Sequence, residues 1–320
     1  MLRSMYSGIS GMKNFQTKLD VIGNNIANVN TYGFKKGRVV FKDLISQQIA
    51  GASGPSPTKG GVNPKQVGLG SQLATIDTID TPGSTQTTGR TLDLALAGDG
   101  YFMVGSGTLA TGYPYVVTTP DISYTRAGNF YFDKDGFIVN SDGLYVLGIT
   151  ANAANTPAEG TGAAKVNFDS NGNISGADGL ATSGLGALKV PTDAKSFSIG
   201  ADGKVTFIDK DDKLVVAGFI GLGKFPNNGG LEKVGQNLYK PTTNSGTLDA
   251  DGDGVDVLGE LYLPGMKGAA EIVPGALEMS NVDLSEEFTE MIVAQRGFQA
   301  NTKIITTSDE ILQELVNLKR

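Results

Sequence analysis

Apolar residues recur every seven positions at both ends of this 320-residue chain, and this pattern constrains the fold more than any other feature. Near the start the series is Met5, Met12, Leu19 and Ile26, with Leu2, Ile9, Phe15 and Ile22 filling in at gaps of three and four. Near the other end it is Leu284, Met291, Phe298, Ile305 and Leu312, flanked by Phe288, Leu315 and Leu318. A seven-residue repeat aligns side chains along one helical stripe and winds paired helices into a coiled coil. The spacing therefore predicts a helix over about 2–28, roughly 40 Å long, and a second over 283–320. Asp283 followed by Glu286 forms a capping pair for the second helix. Gly8, Gly11, Gly23 and Gly297 interrupt these helices at a cost of about 1 kcal/mol each relative to Ala. Each stripe has only the other helix to cover it. Two readings stay open: an ordinary helical hairpin packed on the rest of the protein, or ends that order when neighbouring chains cover them. In the second reading Met5, Ile9, Met12, Leu19, Ile22, Ile26, Leu284, Phe288, Met291, Phe298, Ile305 and Leu312 form an assembly interface.

The first stripe stops at "NNIANVNTYGFKK". Asparagine side chains compete for backbone hydrogen bonds and favour caps and turns, and glycine admits a left-handed turn. Asn25, Asn28 and Gly33 are therefore expected to stop the helix and redirect the chain. Residues 49–71 are rich in Gly, Ser, Pro, Lys and Gln and read as an extended connector without a core. Beyond about residue 73 come short alternating runs such as "YFMV" (101–104), "SFSIGADGKVTFI" (196–208) and "LVVAGFIGL" (214–222), with Asp-Gly and Asn-Gly tips between them. These are hairpin signals. The expected class is α+β, a mainly-β body with discontinuous N- and C-terminal helices that pair as a coiled coil. The expected divisions are 1–30 with 278–320 as the helical domain, 31–72 as the connector, 73–150 with 189–277 as the β body, and 151–188 as an inserted loop or small subdomain.

The chain contains no His, Cys or Trp. No Ser–His or Cys–His nucleophile and no His/Cys zinc site can be built from it. A net charge of −7 with no basic run argues against nucleic acid. No stretch reaches the roughly 18 apolar residues of a membrane span, and the opening residues lack the form of a cleaved secretory signal. "DADGDGVDVLGE" (249–260) satisfies the calcium-loop pattern, with Asp249, Asp251, Asp253 and Glu260 as the carboxylates. Calcium loops of this kind sit between amphipathic helices, whereas this one lies between "NSGTL" and "LYLPGM". It reads as a solvated loop, and no metal and no cofactor are expected.

Several long stretches resemble the bacterial flagellar rod and hook axial proteins. They are "NNIANVNTYGFKK", "TLDLALAGDGYFMV" (91–104), "YTRAGNFYFDKDGFIVNSDGLYVLG" (124–148), "GLEKVGQNLYKPTTNSG" (230–246) and "GALEMSNVDLSEEFTEMIVAQRGFQANTKIITTSDEILQELVNLK" (275–319). The resemblance covers most of the chain and fades at 151–188 and about 247–268. It implies a structural subunit, not an enzyme. Such a subunit is exported through the flagellar type III apparatus without a cleaved signal peptide and polymerises outside the cell, in the flagellum, into a hollow tube. The terminal helices then line the tube and the β body lies outside it. The implied partners are copies of the chain, adjoining rod and hook–filament junction proteins, and a cap protein and the export apparatus during assembly, with no nucleic acid and no membrane insertion. Within the family, "TQTTGRTLDLAL" and "TTSDEILQELVNLKR" look like hook proteins of Gram-positive bacilli, which implies a flexible joint between rod and filament. Residues 49–71 look like the longer connector of distal rod proteins, a region tied to stiffness, so the straight distal rod is the alternative. From the residues alone, a secreted calcium-dependent β-domain binding protein is the remote third reading.

Overall fold

The computed structural model describes residues 2–55, 57–109, 115–151, 165–168, 174–178, 185–246, 261–266 and 268–318. The chain divides into two compact units. The first comprises residues 1–29, 35–79 and 282–320, and the second residues 30–34 and 80–281. The expected α+β class holds.

In the first unit, α1 spans Leu2–Ala27 and α2 spans Leu284–Asn317. Asp283 caps α2: its Oδ1 accepts hydrogen bonds from the Ser285 and Glu286 backbone amides at 2.8 and 3.4 Å. Two acidic residues, Glu286 and Glu287, occupy the first turn of α2, where the helix dipole favours them. The stretch expected to be an extended connector is folded. Here β1 (Gly37–Asp43) pairs antiparallel with β4 (Ser71–Thr78), and β2 (Ser46–Ala50) pairs with β3 (Lys65–Gly68). Every residue of β2 and β3 is exposed. A ladder of main-chain bonds builds the β2–β3 hairpin without a buried face, which is why its composition reads as loop. Cross-strand pairing assists: Arg38 lies opposite Asp77 in register, with their charged groups 3.2 Å apart. Because β4 belongs to this ribbon, the boundary of the unit falls after Ile79 and not at the expected residue 72.

The second unit carries the remaining strands. They are β5 (Thr85–Thr87), β6 (Leu94–Ala97), β7 (Tyr101–Leu109), β8 (Val117–Thr125), β9 (Tyr131–Phe132), β10 (Ile138–Val139) and β11 (Tyr145–Thr150). Then come β12 (Lys165–Phe168), β13 (Ile174–Asp178), β14 (Gly186–Ala187), β15 (Ser196–Ile199), β16 (Lys204–Ile208), β17 (Leu214–Ile220) and β18 (Leu222–Gly223). The last four are β19 (Glu232–Gly235), β20 (Leu238–Lys240), β21 (Glu271–Pro274) and β22 (Ala276–Glu278). The main sheet has the order β15-β16-β17-β11-β7-β8-β20-β19, and its neighbours are antiparallel. Two short pairs, β21 with β6 and β22 with β5, accompany it. In the 151–188 stretch, β12 and β13 form a hairpin, while β14 joins the main sheet beside β11.

Successive residues of a strand face opposite sides, and here both sides are covered. Phe102 and Val104 belong to one core cluster, Tyr101 and Met103 to the other. Val215 and Ala217 join the first, and Val216 the second. This explains why strands such as "YFMV" and "LVVAGFI" are apolar without interruption: a sheet buried on both faces needs no polar alternation.

Gly33 is required where it stands. Its φ is +70°, and its amide donates to the Glu278 carbonyl at 2.9 Å. A Cβ on this residue would lie 2.6 Å from the Arg126 carbonyl carbon. Left-handed backbone costs a non-glycine residue about 1–2 kcal/mol before any clash. Gly33→Ala is therefore expected to lose more than about 2 kcal/mol in urea unfolding; an unchanged midpoint would contradict this account.

Candidate assembly surface

The two long helices run antiparallel along each other, as a ladder of contacts shows. Gly8 faces Ile305, Gly11 faces Asn301, Gly297 faces Phe15, Lys18 pairs with Glu290 at 3.1 Å, and Asn25 bonds Glu287. The glycines that weaken helices in isolation are the sites of closest approach. A Cβ on Gly11 would sit 2.9 Å from Asn301 Oδ1, and one on Gly297 would sit 2.6 Å from Phe15 Cζ. The Phe15 ring also meets the Phe41 ring of β1 edge-on at 6.1 Å. It is thus held between a strand and a side-chain-free patch of helix. Filling that patch should force the helices apart. Gly297→Leu is expected to destabilise the helix pair by about 1–3 kcal/mol, the usual penalty for overpacking. Faster amide exchange in both α1 and α2 would report it.

The asparagine cluster does two different jobs. Asn28 acts as a helix-end residue: its Nδ2 donates to the Asn24 carbonyl and to Asn24 Oδ1 at 2.9 and 3.0 Å. Asn25, expected at a turn, lies inside α1 and is buried. Its side chain accepts from the Gly37 amide and donates to the Gly37 carbonyl, both at 2.9 Å, and donates to Glu287 Oε2 at 3.1 Å. One amide therefore ties α1 to the start of β1 and to α2. Glu287 is itself buried at 4% exposure, and no local sequence signal marks it as the partner of a residue 262 positions away.

The twelve stripe residues divide by burial. Ile22 is buried. Met5, Met12, Leu19, Ile26, Met291, Phe298, Ile305 and Leu312 are half-buried. Ile9, Leu284 and Phe288 are exposed. Further apolar residues are exposed on the helices, Tyr6 on α1 and Ile292, Val293, Ile304, Ile311, Leu315 and Val316 on α2, and of these the heptad spacing marked Leu315 alone. The signal was available in "MIVAQ": three consecutive apolar residues cannot all fall on one stripe of a helix. The ribbon adds Ile45, Ile49 and Val62, of which Ile45 is 84% exposed.

The contrast with the second unit is sharp. Among the described residues, the buried apolar residues of the first unit are Ile22 and Ala294, and all the others belong to the second. The first unit therefore consists of long elements with a thin interior and apolar side chains facing outward on both helices. Extended apolar surface of this kind marks interaction sites. Among the described residues no group of three or more acidic side chains could hold a metal ion, and no helix is long and apolar enough to cross a membrane. The calcium-loop carboxylates Asp249, Asp251, Asp253 and Glu260 lie outside the described residues.

Three family models match this chain. "Flagella basal body rod protein" matches residues 5–35, "Flagellar hook protein FlgE/F/G D1 domain" residues 95–207, and "Flagellar basal body rod FlgEFG protein C-terminal" residues 273–318. The first and third fall mostly on the helical unit, reaching into the β unit at residues 30–34 and 273–281, and the second falls within the β unit. Over 320 residues the chain is 53% identical to the flagellar basal-body rod protein FlgG of Bacillus subtilis (strain 168), covering 100% of both. It is 32% identical over 464 residues to the flagellar hook protein FlgE of Borreliella burgdorferi, again covering 100% of both. The FlgG of the same organism is 32% identical over 327 residues, with 100% of both covered. These matches define a structural protein of the bacterial flagellum and not an enzyme. The chain belongs to the flagellar rod and hook protein family, FlgE/F/G.

Proposed function

We propose that the chain is a subunit of the flagellar rod, assembling with copies of itself into a straight tube within the basal body. The observation that carries this reading is the 53% identity, end to end and at equal length, with a basal-body rod protein FlgG. The hook relative aligns only across 464 positions, against the 320 of this chain, and at 32% identity. This reverses the preference for the hook that "TQTTGRTLDLAL" and "TTSDEILQELVNLKR" suggested. Two short motifs weigh less than agreement along the full chain. The likeness of residues 49–71 to the distal rod connector supports the same side, and the β2–β3 hairpin, which includes part of that stretch, gives it a definite form.

In this reading the outward apolar residues of α1 and α2 are covered by neighbouring subunits. The buried and half-buried stripe residues close the helix pair, while the exposed ones, Ile9, Leu284 and Phe288, join the other exposed apolar residues of α1 and α2 in linking pairs. Burying each half-exposed Ile, Val or Leu contributes on the order of 1 kcal/mol, repeated at every subunit of the tube. Adjoining rod and hook–filament junction proteins, a cap protein and the export apparatus remain the partners that family likeness implies, with export occurring without a cleaved signal.

The hook keeps a place as the second reading because of those two motifs and the FlgE relatives. Electron microscopy of concentrated protein separates the two. The rod reading expects straight tubes, curved tubes would transfer the chain to the hook, and a protein that stays monomeric under all assembly conditions would sink both.

A further inference from the structure

The helical unit holds a small pit of about 150 Å³, walled by α1, α2 and β1. Three cations line it, and each is already paired. Lys18 pairs with Glu290 at 3.1 Å, Lys36 with Glu286 at 2.7 Å, and Arg38 with Asp77 at 3.2 Å. A further carboxylate in the lining, Glu287, has no cation of its own among the described residues. It is buried, whereas the side chains of Glu286 and Glu290 are about half exposed. Asn25 Nδ2 donates to Glu287 Oε2, and Oε1 receives no hydrogen bond from any described residue. The pit therefore contains one buried negative charge without a counter-charge, which is costly to leave as it stands.

The lining limits the occupant. The excess negative charge disfavours an anion. A bare metal ion is disfavoured too, because among the described residues no group of three or more acidic side chains could hold one. Between the charged groups the walls are apolar, made by Val21, Ile22, Val39 and Ile79. Apolar walls around a buried carboxylate match a lysine or arginine side chain, whose alkyl stem packs on apolar surface while its charged head meets the carboxylate.

The same helix displays two such side chains. Arg296 and Lys303 are exposed on α2 and form no ion pair with a described residue. They stand seven positions apart, on one face of the helix. Arg296 follows the exposed Ile292 and Val293 by four and three positions, so it belongs to the apolar surface that links helix pairs. Neither cation reaches the pit of its own chain: the helix carries Arg296 roughly 14 Å along its axis from Glu287, and Lys303 farther still. We propose that this pit receives the Arg296 or Lys303 side chain of a second copy. Donor and socket are different patches of one molecule, so the contact is heterologous and repeats from copy to copy, as a helical tube requires and a symmetric dimer does not. The inference rests on the polymer reading, whether rod or hook, and names one of its contacts.

The test is Glu287→Gln in the full chain, which keeps an acceptor for Asn25 and removes the charge. The melting temperature of the monomer should hold, while the critical concentration for tube formation rises about tenfold or more. Arg296→Gln or Lys303→Gln should reproduce that rise, and both sites are exposed, so neither change threatens the fold. Combining the effective variant with Glu287→Gln should add little, because each removes the same contact. The proposal is overturned if Glu287→Gln assembles as the parent does, if neither cation variant reproduces its effect, or if the combined variant shows the sum of two separate losses. A parent chain that forms no tubes would fail the polymer reading instead, and the pit is then judged by itself. Titrated into the dilute full chain at constant ionic strength, n-butylammonium should shift the Asn25 side-chain amide signals saturably in ¹⁵N–¹H NMR, and should not do so in Glu287→Gln. Without saturable shifts in the parent, the site is refuted as well.

Discussion

A chain lacking residues 284–317 will form no tubes at any concentration at which the full chain does, and its β unit will still unfold cooperatively. The first half of this expectation follows from the exposed apolar residues of α2. Ile292, Val293, Ile304, Ile311, Leu315 and Val316 all leave with α2, as does the partner of the α1 stripe. At roughly 1 kcal/mol per covered side chain, the loss is several kcal/mol per subunit contact. That corresponds to several powers of ten in the association constant. The second half follows from where the core lies. Both large clusters consist of residues between Leu92 and Ile272, none of which α2 supplies. Removing residues 1–27 should have the same pair of effects. Tubes formed by either truncated chain would refute the assignment of assembly to the helices. Loss of cooperative melting would show instead that the β unit depends on them.

Glu278→Ala should be among the most destabilising single substitutions in the β unit. Glu278 Oε2 accepts from Arg126 Nη1 at 3.3 Å, with the side chains 1% and 0% exposed. Its Oε1 accepts from the Gly83 amide at 3.0 Å. Arg126 also donates to the Gly98 carbonyl at 2.9 Å and lies over the Tyr101 ring. The Tyr101 hydroxyl donates to Asp80 at 2.8 Å; burial first, and the Asp80 charge second, hold it protonated well above the usual tyrosine range. Removing the Glu278 carboxylate leaves a fully buried guanidinium without its counter-charge. Breaking a buried pair from one side costs about 3–5 kcal/mol, a fall in melting temperature on the order of 10 °C for a unit of this size. Replacing both members together, Arg126→Met with Glu278→Leu, should cost less, because no charge is then stranded. A single Ala variant that melts within about 2 °C of the parent would show that the pair contributes little.

Sequence reading recovered the parts of this fold that repeat. Stripes of period seven located both helices to within a few residues, and apolar runs between Asp-Gly tips located the β body, because each pattern is local and directly encodes a buried face. The β2–β3 hairpin escaped notice because it buries no face: "SQQIA" and "KQVG" pair through main-chain bonds that any sequence can make. Pairings over long separations were equally invisible. Asn25 with Glu287, and Arg126 with Glu278, are single polar residues joined across 262 and 152 positions, and neither partner carries a mark of the other. The helix glycines were legible but ambiguous. Spacing alone shows Gly297 as a weak point in α2, whereas its role as a seat for Phe15 needs the opposing helix in view.

The helical unit is assembled from three separate stretches of chain, and the β unit is inserted between two of them. On the ribosome, α1 is complete more than 250 residues before Glu287 emerges to meet Asn25. The β unit can close on itself in that interval, while the helical unit cannot be finished by any nascent chain until α2 has been made. Premature termination anywhere in that final stretch would therefore release a product with a finished β unit and an opening helix that has lost its long-range partner.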